Sequence, residues 1–95
     1  MNEQTFSPDS VPRVAPLYRF QWEEAQQCHV LLYPEGMVRL SGSAGEILKR
    51  IDGRTSIAAL LADLRAAFPG VDLERDVMSF LETAYGRGWL RSVAQ

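Results

Sequence analysis

The run Leu31 to Leu48, LLYPEGMVRLSGSAGEIL, constrains this chain more than any other stretch. Two apolar segments flank a Tyr33-Pro34-Glu35-Gly36 joint, where proline suits the first turn position and glycine is free to take positive φ. The segment before the joint, Cys28 to Tyr33, is almost continuously apolar. The one after it, Met37 to Ser41, alternates, with Val38 and Leu40 opposite Met37 and Arg39. That pattern predicts a hairpin. Upstream, Leu17 to Trp22 sets Tyr18, Phe20 and Trp22 on one side, the period of a further strand. Downstream, Ser43-Ala44-Gly45-Glu46 matches a capping box, so a first helix is expected from Ser43 to Asp52-Gly53 with Ala44, Ile47, Leu48 and Ile51 buried.

A second helix is expected over Ser56 to Phe68, where Ile57, Leu60, Leu61, Leu64 and Phe68 recur at helical spacing and Asp63 and Arg65 stay outside. Asp72 is a suitable cap for a third, which carries Leu73, Val77, Phe80, Leu81 and Ala84 on one stripe and ends near Gly86-Arg87-Gly88. Trp89 and Leu90 should fold back as a lid. Strands first and helices after predict an α+β domain, a three-stranded antiparallel sheet followed by three helices, and the short joint between helices two and three makes it winged helix-turn-helix-like. Residues 1–16 hold Pro8, Pro12 and Pro16 among polar residues and read as a flexible N-terminal arm, leaving 17–95 as one domain.

Composition excludes several function classes. Ten basic against twelve acidic residues give a net charge of -2, which offers no footprint for nucleic acid or anionic lipid. The third helix sets Glu74, Asp76 and Glu82 against Arg75 and Arg87, so as a DNA-reading helix it would repel phosphate. No apolar run is long enough for a membrane span. The N-terminus has no signal-peptide pattern, and the cytoplasm is the expected location.

Catalysis and metal binding find no residue set. Cys28 and His29 are the lone cysteine and histidine, and neighbours on a strand point to opposite faces, so they cannot readily serve as nucleophile and base to each other. One Cys and one His fall short of a structural metal site, and no cofactor is expected. Lys49, beside Arg50 on a solvated helix face, suits no Schiff base. Gly42 and Gly45 lack the basic partner of a phosphate cradle.

A sheet edge remains. A rim strand presents unpaired N–H and C=O groups to which an extended peptide can add. About five backbone hydrogen bonds at a net 0.5–1.5 kcal/mol each contribute only a few kcal/mol, against an association cost of roughly 4–15 kcal/mol. Apolar anchors must supply the rest. Met78, Leu81 and Tyr85 on the third helix are candidates for such a wall, although Leu81 could equally be core.

The run LLYPEGMVRLSGSAGEILKRIDGRTSIAALLADL, with FP after it and a closing GWL, resembles the PqqD family of pyrroloquinoline quinone (PQQ) biosynthesis over about Pro12 to Leu90. Its most specific pieces are Leu32 to Gly36, Ile51-Asp52-Gly53 and Gly88-Trp89-Leu90. The resemblance implies a non-catalytic peptide chaperone that binds the precursor peptide PqqA and presents it to the radical S-adenosylmethionine enzyme PqqE, whose cofactors stay with that partner. It also implies a leader-peptide recognition element of modified-peptide pathways, in which the peptide adds to the third strand and packs on the third helix. Carried onto this sequence, that gives Met37, Val38, Arg39, Leu40 and Ser41 for pairing, and Arg75, Met78, Leu81, Glu82 and Tyr85 for the wall. Exchange of a strand or the arm between two copies would give a homodimer. A winged-helix regulator and a small enzyme are the rival expectations.

Overall fold

The structure is a computed structural model and describes residues 6–93. Strand β1 (Pro12–Val14) leads into β2 (Arg19–Glu23), β3 (Cys28–Tyr33) and β4 (Gly36–Arg39). Three helices follow, α1 (Gly42–Lys49), α2 (Ile57–Ala67) and α3 (Glu74–Gly86), and then a short strand β5 (Leu90–Ser92). The expected α+β order of a three-stranded antiparallel sheet followed by three helices is therefore present, with sheet order β2-β3-β4.

Pairing fixes which face meets the helices. Phe20 lies opposite Leu31, and Leu31 opposite Val38. Paired residues share a face, so Phe20, Leu31 and Val38 form one row over the helices. Leu31 and Leu40 are buried in one cluster with Ile47, Leu48, Ile57, Leu60 and Leu64, and with Val77, Leu81 and Ala84 from α3. Pro34 and Glu35 make the two-residue turn, and Gly36 pairs with Tyr33 as the first residue of β4. The positive φ expected at Gly36 is absent; Gly53, Gly70 and Gly88 adopt it instead.

Helix starts differ from expectation. Ser41, not Ser43, caps α1: its hydroxyl accepts from the Ala44 N–H at 3.1 Å. Glu46 turns away from the cap to bind Lys49 and Arg50, because two cations on the next turn compete better than one amide. Ser56 caps α2 by accepting from Ala59 N–H. At α3 the N-cap is Leu73, without a side-chain bond, and Asp72 does not cap. Phe68, expected in the core, is 39% exposed because α2 ends at Ala67 and the chain leaves the helical phase there. A six-residue link, Phe68 to Leu73, then replaces the short joint.

The expectation of a flexible arm over 1–16 falls partly on residues 1–5, outside the described ones. Residues from Phe6 onward pack on the domain. Strand β1 pairs antiparallel with β5, Arg13 opposite Arg91, at the far end of the sequence. The carbonyls of Ser10 and Pro8 accept the N–H groups of Ile57 and Ala58 at 2.9 and 3.0 Å. Those donors have no partner inside α2, so the arm completes the helix start that Ser56 caps only in part. Proline is tolerated because Pro12 is the first residue of its strand.

Candidate functional site

Among the described residues, strand β4 has a neighbour on one side only. The phase of its ladder decides which of its groups are unpaired. Leu40 donates its N–H to the His29 carbonyl at 3.0 Å, one register position beyond the Val30–Arg39 pair. In an antiparallel ladder, residues that exchange hydrogen bonds alternate with residues that do not. Val38 therefore bonds inward to Leu31, as Leu40 does to His29, whereas Met37 and Arg39 direct both N–H and C=O to the open side. Beyond them the Ser41 carbonyl is taken by the Gly45 N–H, which ends the open rim at the start of α1.

Beside that rim lies a groove of about 770 Å³. Val38, Arg39, Leu40 and Ser41 form its strand wall, and Gly42, Ser43, Ala44 and Ile47 continue it onto α1. The opposite wall is α3, through Asp76, Val77, Ser79, Phe80 and Thr83. Leu64, Phe68 and Leu73 close one part, and Trp89 contributes from the segment after α3. The Trp89 indole has Phe80 as a tilted neighbour, with ring centroids 6.4 Å apart, and the Arg87 guanidinium 5.8 Å from its ring centre. An aromatic that already has such neighbours loses less freedom when a guest arrives, so less ordering cost falls on binding.

The residues expected at a peptide site divide into two groups. On the strand side, Val38, Arg39, Leu40 and Ser41 border the groove, Arg39 from its rim because it alternates onto the outer face of the sheet with Met37, which is 39% exposed and does not border the groove. On α3, none of Arg75, Met78, Leu81, Glu82 and Tyr85 borders it. Leu81 is fully buried, and Tyr85 is 4% exposed, stacked on Phe6, with its hydroxyl 2.8 Å from Ser92 Oγ. Burial pushes the Tyr85 phenol above its ordinary range, and the bond to Ser92 works against that shift. Arg75 and Glu82 are exposed, and Met78 packs against the core.

Phe80, Thr83 and Trp89 were thus not anticipated as groove residues. Phe80 belongs to the apolar stripe of α3, and it is the structure that leaves it only partly buried, at the groove.

The groove holds few charges. Glu46 is bound by Arg50 at 2.9 Å and Lys49 at 3.1 Å, and these bonds, Arg50 first, hold its carboxyl below the usual range. Among the described residues, no group of three or more His, Cys, Asp or Glu side chains could hold a metal ion, and no helix is long and apolar enough to cross a membrane. An open strand edge beside a mainly apolar trough, on a small α+β domain, is a geometry to which an extended chain can add.

Comparison with known proteins gives the family. The chain belongs to the PqqD family: the family model of coenzyme PQQ synthesis protein D (PqqD) matches residues 28–90. A Pseudomonas aeruginosa protein named PqqA binding protein is 55% identical over 85 residues, covering 88% of this chain and 92% of its own. A protein of the same name from Azotobacter vinelandii is 53% identical over 91 residues, covering 95% and 97%. The solution structure of the PqqD truncation of Methylobacterium extorquens PqqCD, described as a functional stand-alone recognition element for ribosomally synthesized and post-translationally modified peptides, superposes with a TM-score of 0.74. It is 28% identical and covers 96% of this chain and 99% of that one.

Proposed function

We propose that this protein binds the peptide PqqA as an added strand along β4 and presents it to PqqE without itself changing a covalent bond. The observation that carries this reading is the unpartnered rim of Met37 and Arg39 running beside an apolar groove. Relatives named for PqqA binding support the choice of peptide.

Magnitudes favour a joint contribution of rim and trough. Four outward backbone groups at a net 0.5–1.5 kcal/mol each give about 2–6 kcal/mol, near or below the roughly 4–15 kcal/mol cost of association. One or two apolar side chains in the trough, at about 1.5–3 kcal/mol each, make binding favourable. The α3 wall in this proposal is Val77, Phe80 and Thr83, with Leu81 and Tyr85 supporting it from the core. Presentation requires that the peptide's remaining length stay outside the groove, within reach of the partner enzyme.

Titration of PqqA into isotopically labelled protein tests the mode. The amides of Met37 and Arg39 and the side chains of Phe80 and Trp89 should shift, while Cys28 and Glu23 at the far end of the hairpin stay still. Unmoved Met37 and Arg39 amides overturn it. Presentation is tested separately: PqqE should retain PqqA more tightly with this protein present than alone, and equal retention argues against a ternary complex.

A further inference from the structure

The phase of the β4 ladder also dictates the side-chain pattern a guest strand must carry. This inference rests on the edge-pairing reading just given. In any sheet, residues directly across from each other share a face, whichever way the strands run. A guest residue opposite Arg39 therefore projects to the outer face, away from the helices. The guest residues on either side of it, opposite Val38 and Leu40, project into the groove toward Phe80 and Leu73.

The charges nearest the guest differ between the two faces. On the outer face, Arg39 shares its row with Val30 and Gln21. That row holds no acid, and among the described residues Arg39 makes no ion pair. The next row toward the turn carries Arg19 opposite Leu32 and Met37, and the row on the other side carries Glu23 opposite Cys28, on β2 and so a full strand away from the β4 edge. On the groove face, the walls are mainly apolar with a few hydroxyls, Ser41, Ser43, Ser79 and Thr83, and the exposed carboxylate is Asp76. Glu46, the other acid there, is already neutralised by Lys49 and Arg50.

We infer that Arg39 is a specificity-determining residue, and that the site selects a peptide segment of the form apolar–acidic–apolar, with the acid opposite Arg39 and its two neighbours in the groove. A carboxylate in the central position gains a cross-strand partner. The same carboxylate moved by one residue would enter an apolar trough beside Asp76, where desolvation and like charge both disfavour it. A one-residue slip is thus penalised twice, and Arg39 sets the register of the guest as well as its composition.

The test is a charge-swap cycle between the protein and PqqA. Arg39 is exposed, so R39Q and R39E should leave the fold intact, which unfolding curves check directly. R39Q should weaken PqqA binding about 2- to 5-fold at low salt, and R39E more, with the difference shrinking as salt rises. Replacing each acidic residue of PqqA in turn by lysine should identify one position, flanked by apolar residues, whose change weakens binding to the wild type and is relieved by R39E. Equal affinity of R39Q, R39E and wild type for PqqA, with the Met37 and Arg39 amides still shifting, overturns the acidic readout while edge pairing survives. Loss of those shifts in the wild type overturns both.

Discussion

The Phe6 ring stacks on Tyr85 with centroids 4.8 Å apart and 15° between the planes, which ties the segment ahead of the first strand to the C-terminal half of α3. The same segment gives α2 two carbonyl acceptors at its start. Phe6→Ala removes the stack and exposes the Tyr85 face, so unfolding in urea should show a loss of about 1–3 kcal/mol, below the range for a fully buried phenylalanine because Phe6 is only half-buried. A variant as stable as the wild type would mean that the arm rests on the domain without supporting it.

Phe80 and Leu81 are neighbours on α3 with separate tasks. Leu81 is fully buried, and Leu81→Ala should cost about 2–5 kcal/mol of stability. Phe80 faces the groove from a partly buried position, so Phe80→Ala should cost less stability while weakening PqqA binding by tenfold or more, about the worth of one apolar anchor. Calorimetric titration beside urea unfolding separates the two effects. Equal binding by Phe80→Ala and wild type would remove Phe80 from the contact surface.

The parts of the fold legible in the sequence are those in which a local period and a local stop signal agree. Ser56 followed by Ile57, Leu60, Leu61 and Leu64 gives α2 its cap and its buried face together. The hairpin is equally local, since Pro34-Glu35 closes it within a few residues. Strand β1 is not local: three residues containing a proline carry no period, and their partner lies at Leu90 to Ser92. The site divides in the same way. Alternation along Met37 to Ser41 marks the strand whose residues Val38 to Ser41 border the groove, whereas the α3 residues that border it, Asp76, Val77, Ser79, Phe80 and Thr83, are not the ones the resemblance implies for a peptide wall. On α3 apolar residues occur on both flanks of the core stripe, Met78 and Tyr85 on one and Phe80 on the other. Periodicity finds such a stripe without telling which flank will meet the strand.

Asp52 should make the domain acid-sensitive. Its carboxylate accepts from the Arg54 and Thr55 N–H groups, each at 2.9 Å, and these backbone bonds, with the Thr55 hydroxyl, lower its pKa. A lowered folded pKa means that the unfolded chain binds the proton first. The stabilisation is therefore fully present above the unfolded value of about 3.9 and is lost as pH falls through the folded one. Asp52→Asn should be less stable than wild type near neutrality, with the gap narrowing below about pH 4. A gap constant from neutral to acid pH would show that the carboxylate's charge contributes nothing to the turn.

Gly45 and His29 bring α1 close against β3, next to the corner where β4 turns into the helix that borders the groove. A Cβ on Gly45 would sit 2.8 Å from His29 Nδ1 and 3.5 Å from His29 Cβ. The imidazole has little room to yield, since it is stacked on Phe20 at 4.9 Å and meets the edge of Trp22 at 5.0 Å. Two opposing effects follow for Gly45→Ala. Alanine favours the helix by about 0.5–1 kcal/mol, while overpacking against the ring costs about 1–3 kcal/mol. The clash should win in the wild type and vanish in a His29→Ala background, so the substitution should destabilise the first and stabilise the second. Urea unfolding of the four proteins in this cycle reads the change of sign, and the same effect in both backgrounds would mean that His29 does not set the distance between helix and sheet.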